Sequence, residues 1–446
     1  MQHGQSKTNR TKKTKKKVTP KELQARQAVL EALTSIFKHR QSLEYALNIM
    51  RESALHGDDR AFAEHMLRVA LKKKLLLDGY IEQFLIKPLS HLPLQAQLLL
   101  LIGTVQCHYM KVPFYAAVNT SVELAKVCGL HRLTGMMNVV LKKVSQHKPN
   151  ISHSDMLHAA PRWLSERLTA DYGKEVATNI ITHSLDDVHY LDVSVHADMD
   201  IDDVASRLGA QHLYGSSLRL HNVTAVPLIT GYKKGYWWVQ DIAAALPIYG
   251  LQRHLKNKRV LDIGAAPGGK TMQLASYGAD VTALDRSAKR LARLEENLTR
   301  TKLNAHIVCA DALQYEPDTL YDVIILDVPC SATGTMRRNP DIIYQRSEHD
   351  VEELHHLQYG LLKRAITWLK KDGIILYCSC SLFKHEGEAH IERIVKEEVL
   401  SRMAFEDLPK HLLNAQGEYR AMPFYDTKQG GMDGFFAAAL KKNPAV

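Results

Sequence analysis

The stretch Val260-Leu261-Asp262-Ile263-Gly264-Ala265-Ala266-Pro267-Gly268-Gly269-Lys270-Thr271 reads as a strand, a glycine-rich turn and the start of a helix. Small residues let the backbone approach a ligand closely, and the unpaired N–H groups of a helix N-terminus favour negative charge. Asp285 closes the next apolar run, about 20 residues on, where a carboxylate accepts hydrogen bonds from ribose hydroxyls. Together they point to a nucleoside-bearing cofactor at the C-terminal edge of a sheet. The same loop also satisfies the phosphate-loop pattern G-x-x-x-x-G-K-[ST], and Val323-Ile324-Ile325-Leu326-Asp327 resembles an apolar strand ending in a metal-binding Asp. A nucleoside triphosphatase is therefore a rival reading. Pro267, which removes one backbone donor, and Asp285, which suits a ribose, count against it.

Two cysteine motifs follow later strands. Asp327-Val328-Pro329-Cys330-Ser331 comes directly after one, and Tyr377-Cys378-Ser379-Cys380-Ser381 after the next. Ligands in open α/β sheets bind at the carboxyl ends of strands, so two thiols and an acid converge near one cofactor. Cys378 and Cys380 are alternate residues and share a face if the segment stays extended. They make a poor zinc site, because no matching His or Cys set is nearby in sequence. An attacking thiol beside a nucleoside cofactor suits methylation of a pyrimidine at C5. A thiolate adding at C6 makes C5 nucleophilic towards the sulfonium methyl of S-adenosyl-L-methionine; loss of the C5 proton then expels the thiol. Asp327 would steady the adduct near cytosine N3 and N4. Such a base must be single-stranded or flipped out.

These groups need elements to hold them. From about residue 240, short apolar runs at Arg259–Ile263, Asp280–Leu284, His306–Val308, Val323–Leu326 and Gly373–Tyr377 alternate with helical stretches at 269–277, 287–301, 348–370 and 386–399. This alternation predicts a doubly wound α/β domain over 239–446. Residues 22–148 are all-helical in pattern, with helices expected at 22–47, 61–86, 93–110, 114–128 and 133–146. Between them, 149–238 reads as a small α+β connector. It carries helices near 161–170, 174–182 and 201–208 and strands at 192–196, 217–223 and 237–239. Asp200 is the expected cap of the third helix.

Composition sets the class. The chain has 446 residues, 45% hydrophobic and 24% charged, as in an ordinary globular protein. Its longest apolar run, near Leu98–Val105, is too short for a membrane span. Six cysteines and no readable export signal suggest free thiols in a reducing, cytoplasmic setting. Net charge is +10, but residues 1–21 hold eight Lys/Arg and no acid, leaving +2 for the rest. That tail is expected to be disordered and either to hold phosphate backbones loosely or to have no specific partner.

The combined motifs resemble the bacterial rRNA cytosine-C5 methyltransferases of the Sun/Fmu type, within the RsmB/NOP family, over about residues 22–446. Ala116–Lys126 and Met137–Leu141 are similar to a NusB-type RNA-binding helical domain. Val239-Gln240-Asp241 resembles the entry to the methyltransferase domain, and Gly264–Lys270 the family's cofactor loop. Asp327–Thr335 with Arg337-Arg338-Asn339-Pro340-Asp341 resembles its Pro-Cys motif, and Gly431–Phe436 its C-terminal strand motif. The resemblance implies a Rossmann-like class I methyltransferase domain that uses S-adenosyl-L-methionine and acts, as a monomer, on 16S ribosomal RNA. It implies Cys380 as the C6 nucleophile and Cys330 as the residue assisting release. Asp285 would hold the ribose, Asp311 the adenine side, and Asp327 would lie between cofactor and base. Gly264 stands where many relatives have Cys, and Ser379 where Thr is usual; Cys378 is an extra thiol, and Cys380 is the expected nucleophile of the two. Arg337 and Arg338 are expected to hold phosphates beside the Pro-Cys loop, with Lys142, Lys143 and Lys148 extending the track. Trp237 and Trp238 are expected to pack the domain joint rather than stack bases. A non-catalytic NusB-like RNA-binding factor is the remaining alternative.

Overall fold

The computed structural model describes residues 21–52, 55–187, 190–221, 223, 225–398 and 400–443. The basic tail expected over 1–21 lies outside them, apart from Lys21. The chain divides into two compact units, one of residues up to Ala70 with Leu77–Pro149, the other of Leu71–Leu76 with the residues from Asn150 on.

The first unit is helical: α1 (Lys21–His39), α2 (Leu43–Glu52), α3 (Gly57–Glu82), α4 (Leu94–His108), α5 (Phe114–Val127) and α6 (Thr134–Gln146). The single helix expected over 22–47 is two, because Arg40 adopts the left-handed region (φ 53°) and stops the first. The apolar run at Leu98–Leu101 is α4, where all four leucines have 0% exposure. It is a core helix, apolar all round because other helices cover it. Pro93 and Pro113 sit at the N-caps of α4 and α5, where a missing N–H costs nothing. The polar Gln106 on α4 is paid for locally, its Oε1 accepting from Arg26 Nε on α1 at 2.7 Å.

The second unit opens with α7 (Arg162–Tyr172) and α8 (Lys174–Ser184), then builds a small antiparallel sheet from β1 (Tyr190–Val195), β2 (Gln211–His212), β3 (Ser217–His221) and β4 (Trp237–Val239), in the order β2-β3-β1-β4. Helix α9 (Ile201–Leu208) crosses between β1 and β2; Asp200 caps it as expected, accepting from Asp202 N at 2.9 Å and Asp203 N at 3.2 Å. After α10 (Ile242–Tyr249) comes the larger sheet. Its elements are β5 (Arg259–Ile263), α11 (Gly269–Ser276), β6 (Asp280–Asp285), α12 (Ala288–Thr301), β7 (His306–Cys309), β8 (Tyr321–Asp327), the single turn α13 (Ile342–Gln345), α14 (Glu348–Thr367), β9 (Leu369–Ser379), α15 (Glu388–Glu397), β10 (Leu400–Met403), β11 (Tyr419–Ala421) and β12 (Phe435–Lys442).

The strand order is β10-β12-β9-β8-β5-β6-β7, with β11 paired to β12. Strands β5 to β9 are parallel, and β12 runs antiparallel between β9 and β10. Alternate residues of each strand feed opposite cores. Val260, Val323, Ile325 and Leu376 pack with α10 and α11, while Leu261, Ile324, Leu326 and Ile375 pack with α14. Each such side chain stabilises the fold by about 1.5–3 kcal/mol. The chain leaves β5 towards β6 and β7 on one side and returns through β8 and β9 on the other. That reversal opens a crevice at the carboxyl ends of β5 and β8.

Candidate active site

Five strand ends meet at this crevice. A cleft of about 320 Å³ is lined by Gly264 after β5, Asp285 at the end of β6, Asp311 after β7, Asp327 at the end of β8, Cys330, and Cys380 after β9. Leu357 and Leu361 of α14 give it an apolar wall. Gly264 has φ 78°, and a Cβ there would stand 2.5 Å from the Asp327 carbonyl oxygen. Absence of a side chain is therefore what lets β5 and β8 end side by side. Gly268 caps α11 in the left-handed region.

Asp285 is almost fully buried. Its Oδ2 accepts from Ala266 N at 3.2 Å and its Oδ1 from Ser287 N at 2.9 Å, so it shapes the glycine loop while lining the cleft. Arg290 Nη1 lies 3.4 Å from Oδ2, and the same guanidinium donates to the Ala266 carbonyl. Carboxylate oxygens have spare acceptor capacity after two such bonds. Asp311 holds its own turn by accepting from Leu313 N at 2.9 Å. Lys270 does not point outward as a phosphate-loop lysine would. Its Nζ donates to Asp327 Oδ2 at 2.8 Å and lies 5.2 Å from the Phe435 ring centroid. Burial opposes the ammonium charge, but the Asp327 carboxylate together with its neighbours, Asp262 among them, outweighs it and raises its pKa. Below the loop, Asp262 is fully buried and accepts from Thr271 Oγ1 at 2.6 Å; burial pushes its carboxyl up to about 6.

The two cysteine motifs come together. Cys330 Sγ lies 3.2 Å from Cys380 Sγ. Strand β9 ends at Ser379, so Cys380 leaves the pleat and Cys378 does not share its setting. Cys378 has 0% exposure and packs in the core on the α10–α11 side. Contact with the Cys380 sulfur, reinforced by burial, raises the Cys330 thiol pKa well above its usual value. The Pro-Cys loop is stitched to its neighbours through backbone: Gly334 N donates to the Cys380 carbonyl at 2.9 Å, and Gly434 N to the Gly334 carbonyl at 2.9 Å. One participant was not readable in sequence. Glu386, fully buried, accepts from Ser331 N and Oγ and from Ser381 Oγ, the residues just after each cysteine.

The expectation for Arg337 needs correction. It has 4% exposure, and its Nη2 donates to the Gly430 carbonyl at 2.9 Å and to Tyr190 Oη. A guanidinium committed to buried partners within the fold does not present itself to RNA phosphates. Arg338 is the exposed member, with 46% of its side chain accessible, and its Nε donates to Asp433 Oδ2 at 2.8 Å. Trp237 and Trp238 are buried, the first in the core of the small sheet and the second against Ala265 and Ala266. The joint between the sheets also holds Arg219. Fully buried, it grips both carboxylate oxygens of Asp192 at 2.7 Å and reaches the Gly431 carbonyl at 2.8 Å.

Beside Arg338 lies Asp241, which caps α10 through Ala243 N at 2.9 Å. Burial, reinforced by Asp433, pushes its carboxyl up to about 7. An acid with a raised folded-state pKa favours folding below its unfolded pKa of about 3.9, and that contribution is lost as pH climbs through about 7. Asp241→Asn keeps the capping oxygen. In urea unfolding between about pH 4 and about pH 8 it should flatten the decline seen in the wild type; an identical slope in both proteins would contradict the assignment.

The profile of the family described as 16S rRNA methyltransferase RsmB/F matches residues 251–441, and that of the NusB family residues 23–146. A protein named ribosomal RNA small subunit methyltransferase B from Xylella fastidiosa (strain 9a5c) is 31% identical over 364 residues, covering 76% of this chain and 83% of its own length. The chain belongs to the RsmB/F family of rRNA methyltransferases. A relative of the same name from Erwinia tasmaniensis is 29% identical over 428 residues, 92% of this chain and 97% of that one. The crystal structure titled PH0851 shares the fold with a TM-score of 0.76 at 21% identity, over 96% of this chain and 100% of that one. For an RsmB/F member, the glycine loop belongs to a methyltransferase, and the nucleoside triphosphatase reading falls. Among the described residues no helix is long and apolar enough to cross a membrane, and no group of three or more metal-binding side chains occurs.

Proposed function

We propose that this protein methylates C5 of a cytosine in 16S ribosomal RNA through a covalent adduct between Cys380 and C6 of the base. The observation that carries the proposal is the 3.2 Å contact between the Cys330 and Cys380 sulfurs at the edge of a cleft lined by Gly264, Asp285, Asp311 and Asp327. The cleft fits S-adenosyl-L-methionine. Gly264 leaves room for close backbone approach, Asp285 would offer a carboxylate to the ribose hydroxyls, Asp311 would border the adenine side, and Leu357 and Leu361 would cover its apolar ring. That donor supplies an electrophilic methyl group.

The protein's own groups do the rest. The Cys380 thiolate forms a bond to C6, and the displaced π electrons make C5 nucleophilic enough to take the methyl group. Asp327, held by Lys270, accepts from the N4 amino group or from protonated N3 of the ring. For release, the Cys330 thiol passes its proton to the departing Cys380 sulfur across their contact and takes the C5 proton in return. The C5–H electron pair restores the 5,6 double bond as the C6–S bond breaks, and both thiols end protonated. Arg338, Lys142, Lys143 and Lys148 are exposed and supply positive charge for the RNA backbone.

A Cys330→Ala protein can form the adduct but lacks the release partner. Incubated with small-subunit rRNA and S-adenosylmethionine, it should accumulate an RNA–protein species that survives denaturing electrophoresis, and Cys380→Ala should accumulate none. Adduct from Cys380→Ala would move the nucleophile elsewhere. Absence of adduct and of methyl transfer in the wild type would favour a purely RNA-binding role.

A further inference from the structure

The side chains immediately after the two cysteines behave as a second pair. Ser331 Oγ and Ser381 Oγ are 3.1 Å apart, close to the spacing of the sulfurs before them. One carboxylate clasps both. Glu386 Oε2 accepts from Ser331 Oγ at 2.5 Å and from Ser381 Oγ at 2.6 Å, while Oε1 accepts from Ser331 N at 2.9 Å and from Gln358 Nε2 at 2.8 Å. Four donors on two oxygens leave Glu386 acting solely as an acceptor.

Its backing is equally directional. Gln358 Nε2 spends its second hydrogen on the Pro329 carbonyl at 2.9 Å, so Gln358 Oε1 must be the acceptor towards His390 Nε2 at 3.0 Å. Burial lowers the His390 pKa to about 3, and its Nδ1 has no hydrogen-bond partner, as expected of a neutral ring protonated on Nε2. Tyr377 Oη adds a bond to the Glu386 carbonyl at 2.8 Å. Apart from His390 Nδ1 the network is satisfied, and a satisfied polar network inside a core specifies one arrangement of the segments it joins. Here the joined segments are Pro329-Cys330-Ser331 and Cys380-Ser381, which approach from different strands.

We propose that Glu386 is a positioning residue that sets the register of the two cysteine loops, and thereby the sulfur-to-sulfur distance on which release of the methylated base depends. This rests on the covalent reading of the site above. It touches neither substrate nor methyl donor; its effect passes through Ser331 and Ser381. Attack by Cys380 needs a single sulfur, whereas release needs both at contact distance. Loosening the clasp should therefore slow release more than attack.

Glu386→Gln keeps the shape but replaces one acceptor oxygen with an N–H donor that opposes the donors already there. Turnover should fall on the order of tenfold to a hundredfold, the scale expected of a misplacement near 1 Å. The KM for S-adenosylmethionine should stay within about twofold, since the cofactor loop is untouched. The decisive readout is the adduct: Glu386→Gln, with Cys330 intact, should accumulate denaturation-resistant RNA–protein species as Cys330→Ala does. A merely structural role would lower turnover with no adduct, and that result, or wild-type turnover, overturns the proposal. If Cys330→Ala itself traps none, the covalent reading fails instead. Should Glu386→Gln not fold, as judged by thermal unfolding, Ser381→Ala removes a single hydroxyl from the clasp and carries the same test with a smaller expected accumulation.

Discussion

Cys380→Ala should bind S-adenosylmethionine like the wild type and yet transfer no measurable methyl group. No neighbouring sulfur can take over. With the Cys380 sulfur gone, burial and the nearby Glu386 carboxylate still push the Cys330 thiol up, and Cys378 faces the core with 0% exposure. Removing the nucleophile of a concerted set of groups costs on the order of 10⁴ to 10⁶ in turnover. The substitution deletes one partly exposed sulfur, so the folded state should change by less than about 1 kcal/mol. Calorimetric binding of the donor beside single-turnover transfer of labelled methyl separates the two effects. Retention of more than about a hundredth of wild-type transfer would show that the sulfur is not essential.

A second large effect is expected from a single added methyl group. Gly334 lies where the Pro-Cys loop, the Cys380 loop and the start of β12 cross. A Cβ there would stand 1.9 Å from the Gly434 carbonyl oxygen, 2.6 Å from its carbon and 2.7 Å from the Cys380 carbonyl oxygen. All three are backbone atoms, which cannot swing aside as a side chain end would. Gly334→Ala must push the segments apart and strain or break the bonds from Gly334 N to Cys380 O and from Gly434 N to Gly334 O. Overpacking and lost buried hydrogen bonds together should cost about 2–5 kcal/mol. Urea unfolding should show the loss, and activity should fall further than at Cys330→Ala, because attack and release are both displaced. Stability within about 0.5 kcal/mol of wild type would mean the crossing is looser than its geometry indicates.

Local pattern carries the α/β part well. β5, the glycine loop and α11 follow from an apolar run, small residues and helical spacing, all within a few turns of chain. The thiol pair was also legible, because two strand ends in one doubly wound sheet must face the same crevice. What escaped depends on distant partners. The adjacent arginines look alike in sequence, but Tyr190, 147 residues away, draws Arg337 inward while Arg338 remains partly exposed. Glu386 sits at the edge of a stretch that reads simply as helix, and nothing nearby announces that serines from two loops will converge on it. The break at Arg40 has neither Gly nor Pro to mark it, only the polar run Lys38–Ser42 between two stretches of apolar spacing.

The placement of β12 bears on how the protein is made. This strand occupies an interior lane of the sheet, between β9 and β10, yet it is translated after every other strand there. Until Phe435–Lys442 has left the ribosome, two flanking strands present raw hydrogen-bonding edges, the kind of surface that invites aggregation. Without the strand that follows it, Gly434 is not held in place to donate to the Gly334 carbonyl. A nascent or proteolytically clipped chain ending before Phe435 would thus be both inactive and adhesive, and quality control need only sense that unfilled lane to tell finished enzyme from fragment.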